Sequence, residues 1–241
     1  MAKPFEQWTV LPHGPLHRVD DGLLSVTGRL PMPVGDDFPR RMTVARLRDG
    51  RLVIFSAIAL DEDEMSELER LGTPSFLIVP GVIHRMDAKT WKQRYPALKV
   101  LAPAGARKKV EEVVPVDATA SSWDDPDVRF TAVAGTADRE GALIVDRESG
   151  TTLVLNDLIF SLADRPGFTG WLFKVTGMTG QEPHIPALIK MGAVDDKRAV
   201  AAQLEAWSRL PRLKRIVVSH ADIIAQDPAA VLERIARELR A

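Results

Sequence analysis

Histidine and carboxylate side chains stand beside apolar, strand-like runs at three places in this chain of 241 residues. The segment FLIVPGVIHR carries His84, the segment LVLNDLIF carries Asp157, and the segment IVVSHAD carries His220. Imidazole and carboxylate groups are among the side chains that most often bind metal ions or transfer protons. These three segments are therefore the first candidates for a chemical site.

Nucleophilic schemes find little support in the sequence. The chain contains no cysteine, which excludes disulfides, thiolate metal ligands and a cysteine nucleophile. It contains no G-x-S-x-G elbow, no P-loop and no G-x-G-x-x-G motif. Ser219 directly precedes His220, but neighbouring residues of a strand point to opposite faces. The two side chains are therefore not expected to form a nucleophile–base pair.

Composition and charge exclude several classes of partner. The formal net charge is −1, so the chain as a whole is attracted neither to nucleic acid nor to an anionic membrane. No apolar run approaches the roughly 20 residues that span a bilayer, and the first residues, MAKPFEQWTV, lack the apolar core of a signal peptide. Together with the missing cysteines, these features predict a cytoplasmic protein without a nucleic-acid or membrane partner.

The first 60 residues predict a meander of antiparallel strands. Strand-like runs occur at Leu23–Leu30, Met42–Leu47 and Arg51–Ile58, and Asp49-Gly50 is a tight-turn signal before the last of them. Because such runs are short and separated by turn residues, consecutive strands are expected to pair with each other.

A helix is expected to follow, from Asp61 to Gly72. Asp61 and Glu64 have the spacing of a capping box, and a glycine commonly ends a helix. The acidic run from Asp61 to Glu64 also has the composition of a cation site. Stabilisation of the positive end of the helix dipole is the simpler interpretation, and we expect it.

The remainder alternates strands with helices. Strands are predicted at Ser75–Val79, Lys99–Ala102, Val113–Val116, Val128–Ala134, Gly141–Asp146, Thr151–Leu155 and Leu213–Val218. Helices are predicted at Asp87–Arg94 and Gly105–Glu112, after the cap Asp195 or Asp196, and after Asp227-Pro228. The pattern indicates an α/β or α+β protein. No linker is long enough to divide the chain, which predicts a single domain over 1–241.

One segment, Arg165–Gly192, is rich in glycine and proline yet contains an apolar run, Phe168–Met178. A broken helical insertion fits this pattern. Such an insertion would pack on the core, cover a pocket for a small-molecule ligand, or contact a second copy of the chain in a homo-oligomer.

The remaining histidines, His13, His17 and His184, fall near prolines and glycines. We expect His13 and His17 at the surface, where metal binding would be adventitious. His184 is expected in a loop. It would be a replacement ligand or a proton carrier if the insertion folds over the site.

The order and spacing of these motifs resemble the metallo-β-lactamase fold superfamily. The stretch PGVIHR after the strand Ser75–Val79 stands where that superfamily has its HxHxDH motif, and Trp91 and Tyr95-Pro96 follow as in a poorly characterised branch. The resemblance covers roughly residue 20 to the end. It implies a four-layer αββα sandwich with a site at the rim where the strand ends of both sheets meet.

The resemblance also implies which metal positions remain. Pro80, Val82 and Thr136 stand at the three histidines of the first metal position, so a two-metal site is not expected. His84, Asp157 and His220 fall at the second position. Two histidines and one carboxylate can hold one divalent ion, zinc or ferrous iron, with open coordination sites.

In the same alignment, Arg85 stands where the HxHxDH motif of the superfamily has its last histidine. A permanent cation beside a divalent ion is unfavourable. We therefore expect Arg85 to pair with Asp157, as a charge partner or a substrate contact, in a metal-free site. Two hypotheses result: a non-catalytic binding module without metal, which the ligand count favours, and a single-metal hydrolase built on His84, Asp157 and His220.

Overall fold

The computed structural model describes residues 3–31, 37–160, 162, 167–175, 177–180, 182–220 and 222–241, without the side chains at 167–169 and 172. These described residues form the strands β1 His17–Asp20, β2 Leu23–Leu30, β3 Phe38–Arg46, β4 Arg51–Phe55, β5 Thr73–Ile78, β6 Lys99–Leu101, β7 Val128–Ala132, β8 Gly141–Arg147, β9 Gly150–Leu155 and β10 Leu213–Val218. They also form the helices α1 Glu62–Leu71, α2 Ala88–Arg94, α3 Arg107–Val110, α4 Gly167–Val175, α5 Ala187–Gly192, α6 Lys197–Ser208 and α7 Pro228–Arg240.

The strands form two sheets. The first has the order β1-β2-β3-β4-β5-β6, and the second has the order β10-β9-β8-β7. In the first sheet β1 to β4 pair antiparallel, and β5 and β6 are added in parallel. In the second, β10 and β9 are parallel and the other pairs are antiparallel. The predicted meander at the start of the chain is confirmed.

The alternation of side chains along each strand produces the layers. In β4, Val53 and Phe55 point into a core shared by the two sheets, whereas Leu52 and Ile54 point to an outer core. Helices α1 and α2 cover that outer core of the first sheet. Helices α6 and α7 cover the outer face of the second sheet. Successive residues of a strand face opposite sides, so each sheet buries both faces. The predicted αββα sandwich is confirmed.

Several predicted elements need correction. Val113–Val116 is not a strand: Val113 and Val114 donate their N–H groups to Val110 O and continue the short helix α3 as turns. Val114 and Val116 are nevertheless buried. An apolar run therefore packs against the core without pairing in a sheet, and Gly105–Glu112 contains only one helical turn.

The helix caps also differ from expectation. Asp196 accepts hydrogen bonds from the N–H groups of Arg198 and Ala199, as predicted for α6. Within the described residues, the side chains of Asp61 and Asp227 make no capping hydrogen bond. The predicted capping box at α1 is therefore wrong, although α1 begins and ends where its sequence indicates.

The glycine-rich insertion forms α4 and α5. The apolar run Phe168–Met178 lies partly outside the described residues, which omit residue 176 and the side chains of Phe168 and Leu172. Of the run, Phe173 is buried, whereas Trp171 and Val175 are more than half exposed. In the part of the chain that the structure describes, no helix has the length and apolar character needed to traverse a bilayer.

Candidate metal centre

His84, Asp157 and His220 meet at the rim of the sandwich. Asp157 Oδ1 lies 3.0 Å from His84 Nε2 and 2.8 Å from His220 Nε2. The two Nε2 atoms are 3.2 Å apart. Three groups that are 73 and 63 residues apart along the chain thus bring their ligand atoms to one point.

The strand ends account for this convergence. β9 and β10 are parallel neighbours, and Val218 is paired with Leu155. Asp157 and His220 each follow the last residue of their strand by two positions, so they leave the sheet side by side. His84 comes from the loop between β5 and α2, beyond the strand ends of the other sheet.

Each histidine is oriented by its second nitrogen. His220 Nδ1 lies 2.6 Å from the carbonyl oxygen of Pro39, which only accepts, so Nδ1 is the donor. His84 Nδ1 lies 2.8 Å from Ser56 Oγ. Ser56 directly follows β4 with a φ of 58°, an uncommon left-handed conformation for a residue other than glycine. In both rings the outer contact leaves Nε2 to face Asp157.

This arrangement fits a single divalent cation. With Nδ1 of His220 protonated, a neutral ring directs the lone pair of Nε2 at the Asp157 carboxylate, and two lone pairs at 2.8 Å repel unless a cation or proton lies between them. A tetrahedral zinc ion with bonds of about 2.0–2.1 Å separates its ligand atoms by about 3.3 Å. The observed separations, 2.8 to 3.2 Å, are close to this value.

The electrostatics of Asp157 agree with this fit. Burial of the side chain by itself raises the pKa of a carboxyl group. When protons rather than a metal ion lie between these atoms, the positive charge of His84 and the hydrogen bonds from His220 and His84 outweigh burial and hold the pKa of Asp157 well below its usual range. Asp157 therefore stays negatively charged, as a ligand for a cation must.

A second buried carboxyl group, Glu140, was missed by the sequence reasoning. Asn156 Nδ2 donates to Glu140 Oε2 over 3.3 Å, and Ser219 Oγ donates to Asn156 Oδ1 over 2.9 Å. Burial, followed by the negative charge of Asp157, raises the pKa of Glu140 well above its usual value. No local signal marks this residue, since it stands in the polar stretch TADREG before β8.

The three residues at the expected first metal position offer no ligand set. Thr136 is fully buried and donates its hydroxyl to Val133 O over 2.7 Å. Pro80 accepts the Gly141 N–H through its carbonyl oxygen, and Val82 has an apolar side chain. These three side chains therefore offer neither an imidazole nor a carboxylate ligand, and the loss of the first metal position stays a prediction.

The expected ion pair between Arg85 and Asp157 is not formed, although the structure describes both residues. Arg85 Nη1 lies 2.8 Å from Glu112 Oε2 and also donates to the carbonyl oxygen of Lys109. The two histidines approach Asp157 instead, and the end of α3 offers Arg85 both a carboxylate and a carbonyl. The guanidinium therefore does not fill the space between the three ligand atoms.

A cavity of 460 Å³ opens onto His84, Asp157 and His220. Its other lining is mostly apolar and comes from both sheets and from α5; it includes Leu30, Phe38, Val82, Ile83, Phe160 and Ile189. The rings of Phe38 and Phe160 lie 4.6 and 4.8 Å from the His220 ring, centroid to centroid. The polar centre thus lies in the wall of an apolar chamber.

The remaining candidates lie away from the metal centre or are engaged elsewhere. Both ring nitrogens of His184 face backbone carbonyls, those of Glu182 and Gly177, at 2.9 Å. His184 is therefore a loop histidine, as expected, and is not available as a replacement ligand. His17 is exposed on β1. His13 is not a surface residue: its side chain is only 4% exposed.

The comparisons with known proteins bear on the fold. No family model and no curated protein matches the chain. The solved structure of the metallo-β-lactamase FIM-1 from Pseudomonas aeruginosa, in a mono-zinc form, is 12% identical over 95% of this chain and 96% of that chain, with a TM-score of 0.65. TMB-1 is 13% identical over 96% of this chain and 100% of that chain, with a TM-score of 0.63.

A metallo-β-lactamase from Hirschia baltica is also similar, at 12% identity and a TM-score of 0.60, over 93% of this chain and 98% of that chain. At such identities the likeness concerns the backbone arrangement and carries no activity with it. With two stacked sheets, helices on both outer faces and a polar centre at the rim, this chain has the metallo-β-lactamase fold.

Proposed function

We propose that this protein binds one divalent transition-metal ion through His84, Asp157 and His220 and hydrolyses a small, largely apolar substrate held in the adjoining cavity. One observation carries the proposal: two imidazole nitrogens and one carboxylate oxygen lie within 3.2 Å of one another, each directed at the others. Such a set of three ligands with open positions is typical of catalytic rather than structural zinc sites.

When bound, the ion would supply Lewis acidity, which polarises a substrate oxygen and makes a water molecule more acidic. Other residues of the protein orient the ligands and shield them from water. Pro39 O and Ser56 Oγ orient the two rings, as outer contacts of metal-binding histidines commonly do. Phe38 and Phe160 cover the His220 ring and reduce access of bulk water.

The substrate class follows from the cavity wall. Most lining side chains are aliphatic or aromatic, and the polar lining includes His84, Asp157 and His220 together with the ion pair of Arg40 and Asp87. A ligand with an apolar body and one polar, hydrolysable group complements this distribution. We therefore infer that the substrate is a small ester or amide whose apolar part lies in the cavity.

The binding-module hypothesis is the second candidate. Large apolar side chains are exposed on the two helices of the insertion, namely Trp171, Val175, Leu188 and Met191. Leu188 also lines the cavity. In this version the protein would hold a small ligand or a second copy of the chain through this surface, without metal. Mass in solution and binding of a hydrophobic probe test it: a strict monomer that binds no such probe contradicts it.

Metal content tests the hydrolase proposal. We expect His220→Ala protein to carry one equivalent of zinc less than wild type after both are purified without chelator, because one ligand of three is lost. His184→Ala is the matched control, since it removes a histidine outside the centre, and it should bind as much zinc as wild type.

Catalysis is tested on a panel of small apolar esters and amides, whose hydrolysis by wild type should stop on chelation and return with zinc. Identical zinc content in wild type and His220→Ala would contradict the metal centre. A metal-loaded protein that turns over no member of the panel would contradict the hydrolase and leave a metal-dependent binding site.

A further inference from the structure

A second group of potential ligands lies outside the cavity, where the N-terminal segment meets the start of α1. His13 Nε2 is 3.6 Å from Asp61 Oδ2, and His13 Nδ1 is 4.0 Å from Glu64 Oε1. One ligand atom from each of the three residues lies within 4.8 Å of the other two. None of these residues contributes to the centre at Asp157 or lines its cavity.

The histidine of this group is buried without a partner for one nitrogen. The His13 side chain is 4% exposed, and among the described residues its Nε2 has no hydrogen-bond partner. His13 Nδ1 lies 2.8 Å from the carbonyl oxygen of Gly14 and must donate to it. A neutral ring therefore places the lone pair of Nε2 near the Asp61 carboxylate, which is unfavourable unless a proton or a metal cation lies between them.

The spacing suits a shared cation better than a direct contact. A separation of 3.6 Å between Nε2 and Oδ2 is too long for a hydrogen bond, whose usual limit is about 3.2 Å. Two ligands of one tetrahedral zinc ion lie about 3.3 Å apart. Glu64, whose side chain is 23% exposed, has enough rotatable bonds to bring its carboxylate to the same cation as a third ligand.

Asp61 and Glu64 can bind a cation because they do not cap α1 in the described part of the chain, although their sequence predicted that they would. Asp61 precedes α1, yet within the described residues its side chain makes no capping bond. Glu62, the next acid, points to Arg94, with Oε1 2.7 Å from Nη1. The carboxylates at 61 and 64 lie towards His13 instead.

We propose that His13, Asp61 and Glu64 bind a second divalent cation of the zinc type, which ties the N-terminal segment to α1. One nitrogen and two carboxylate oxygens form a ligand set that zinc accepts. The segment it would anchor already runs along the first sheet: Trp8 Nε1 donates to Leu60 O, and His13 forms an isolated bridge with Gly28. The site is structural, and it does not depend on the proposed hydrolase activity.

Calorimetric titration with zinc alone tests the site, in His220→Ala protein so that the centre at Asp157 is disabled. We expect one equivalent to bind. Adding Asp61→Asn or Glu64→Gln should weaken binding at least about 10-fold, since each removes a charged ligand. Asp61 is exposed, so its variant keeps the protein folded even if His13→Asn does not. His17→Asn, which removes an exposed histidine nearby, should leave binding unchanged.

Thermal unfolding gives a second reading on the same proteins. Zinc at about one hundred times its dissociation constant should raise the Tm of His220→Ala by about 5 °C or more, and Asp61→Asn should reduce the rise by about half or more at the same zinc concentration. Equal zinc affinity with and without Asp61→Asn, or a loss caused by His17→Asn, would mean adventitious surface binding and overturn the proposal. A failure of this site leaves the zinc difference between wild type and His220→Ala untouched, so the two proposals are judged separately.

Discussion

At the candidate metal centre each ligand is held by more than its contact with the other two. The Pro39 carbonyl holds His220 and the Ser56 hydroxyl holds His84, so neither ring must be ordered when a cation binds. Asp157 is 4% exposed and is approached by both rings. Preorganisation of this kind is what separates a specific site from a chance meeting of polar side chains.

Ser56→Ala should weaken zinc binding at the centre about 10-fold, because the variant loses the group that orients His84 through Nδ1. Competition with a chromophoric chelator measures the affinity. Ser75→Ala is the control, since Ser75 Oγ donates to the nearby Thr73 O at the surface, away from the centre. Equal affinities in Ser56→Ala and Ser75→Ala would show that the hydroxyl does not position the ring.

The three candidate ligands were predicted before the structure because the segments that carry them resemble the metal motifs of a known fold superfamily. Their outer contacts were not, since Pro39 lies 181 residues before His220 along the chain. The ion-pair partner of Arg85 could not be predicted from neighbouring residues either. Its partners Glu112 and Lys109 come into reach only because α3 folds back beside the loop that carries it.

Among the elements, the loop between β5 and α2 is the most constrained part of the centre. Gly81 lies in it, three residues before His84. An added Cβ at Gly81 would lie 2.7 Å from Glu140 Oε1 and 3.2 Å from Asn156 Nδ2. The loop of the first sheet therefore rests directly on the buried polar groups of the second sheet.

Gly81→Ala should destabilise the protein by about 1–3 kcal/mol, because the buried Glu140 carboxyl has little room to move. Chemical denaturation followed by tryptophan fluorescence measures the free energy of unfolding. Gly192→Ala, at the end of α5, is the matched control because no atom lies within 4 Å of its added Cβ. A Gly81→Ala protein as stable as Gly192→Ala would refute the close packing of the two loops.

Element prediction succeeded where periodicity and burial agree. In α6 the predicted stripe of Val200, Leu204 and Trp207 is buried in one core. It failed at Val113–Val116, where β-branched residues are buried by a turn. Burial of apolar side chains is favourable in any backbone conformation. An apolar run of four residues therefore does not distinguish a strand from a buried turn.

Across the whole molecule, buried polar contacts between distant residues join β10, at one edge of the second sheet, to strands of the first sheet. Arg215 Nη1 on β10 lies 2.6 Å from Asp20 Oδ2 on β1, and both side chains are about nine-tenths buried. Arg41 Nε on β3 donates to Val218 O on β10 over 3.1 Å. These contacts tie the first strands of the chain to its last strand.

The Asp20 pair predicts a pH dependence of stability. Burial by itself raises the pKa of Asp20, but hydrogen bonds from Ser149 and Arg215 outweigh it and lower the pKa to about 2, from an ordinary value of 3.8. A carboxyl group whose pKa is lower in the folded state stabilises that state above its unfolded pKa. This contribution is complete above about pH 4 and is lost as the pH falls through about 2.

Asp20→Asn should therefore lower the free energy of unfolding at pH 7 by about 1 kcal/mol, and its difference from wild type should shrink between pH 5 and pH 2. Urea denaturation across this pH range measures both effects. Asp21→Asn serves as the control, because Asp21 pairs with Arg18 at the exposed surface and should matter little at any pH. A wild-type minus Asp20→Asn difference that stays constant with pH would contradict the assignment.

The sequence patterns alone indicated an α/β or α+β protein, and the resemblance to a known fold superfamily predicted the sandwich layers and the three candidate ligands. Alternating and helical apolar patterns act locally, so β4, α6 and the strand ends that carry Asp157 and His220 could be read from neighbouring residues. The buried Glu140, the turn of Arg85 towards Glu112 and the meeting of His13 with Asp61 became visible only in the folded chain. Each of these depends on which surfaces the packed layers bring together, and contacts between residues far apart in the chain leave no local pattern.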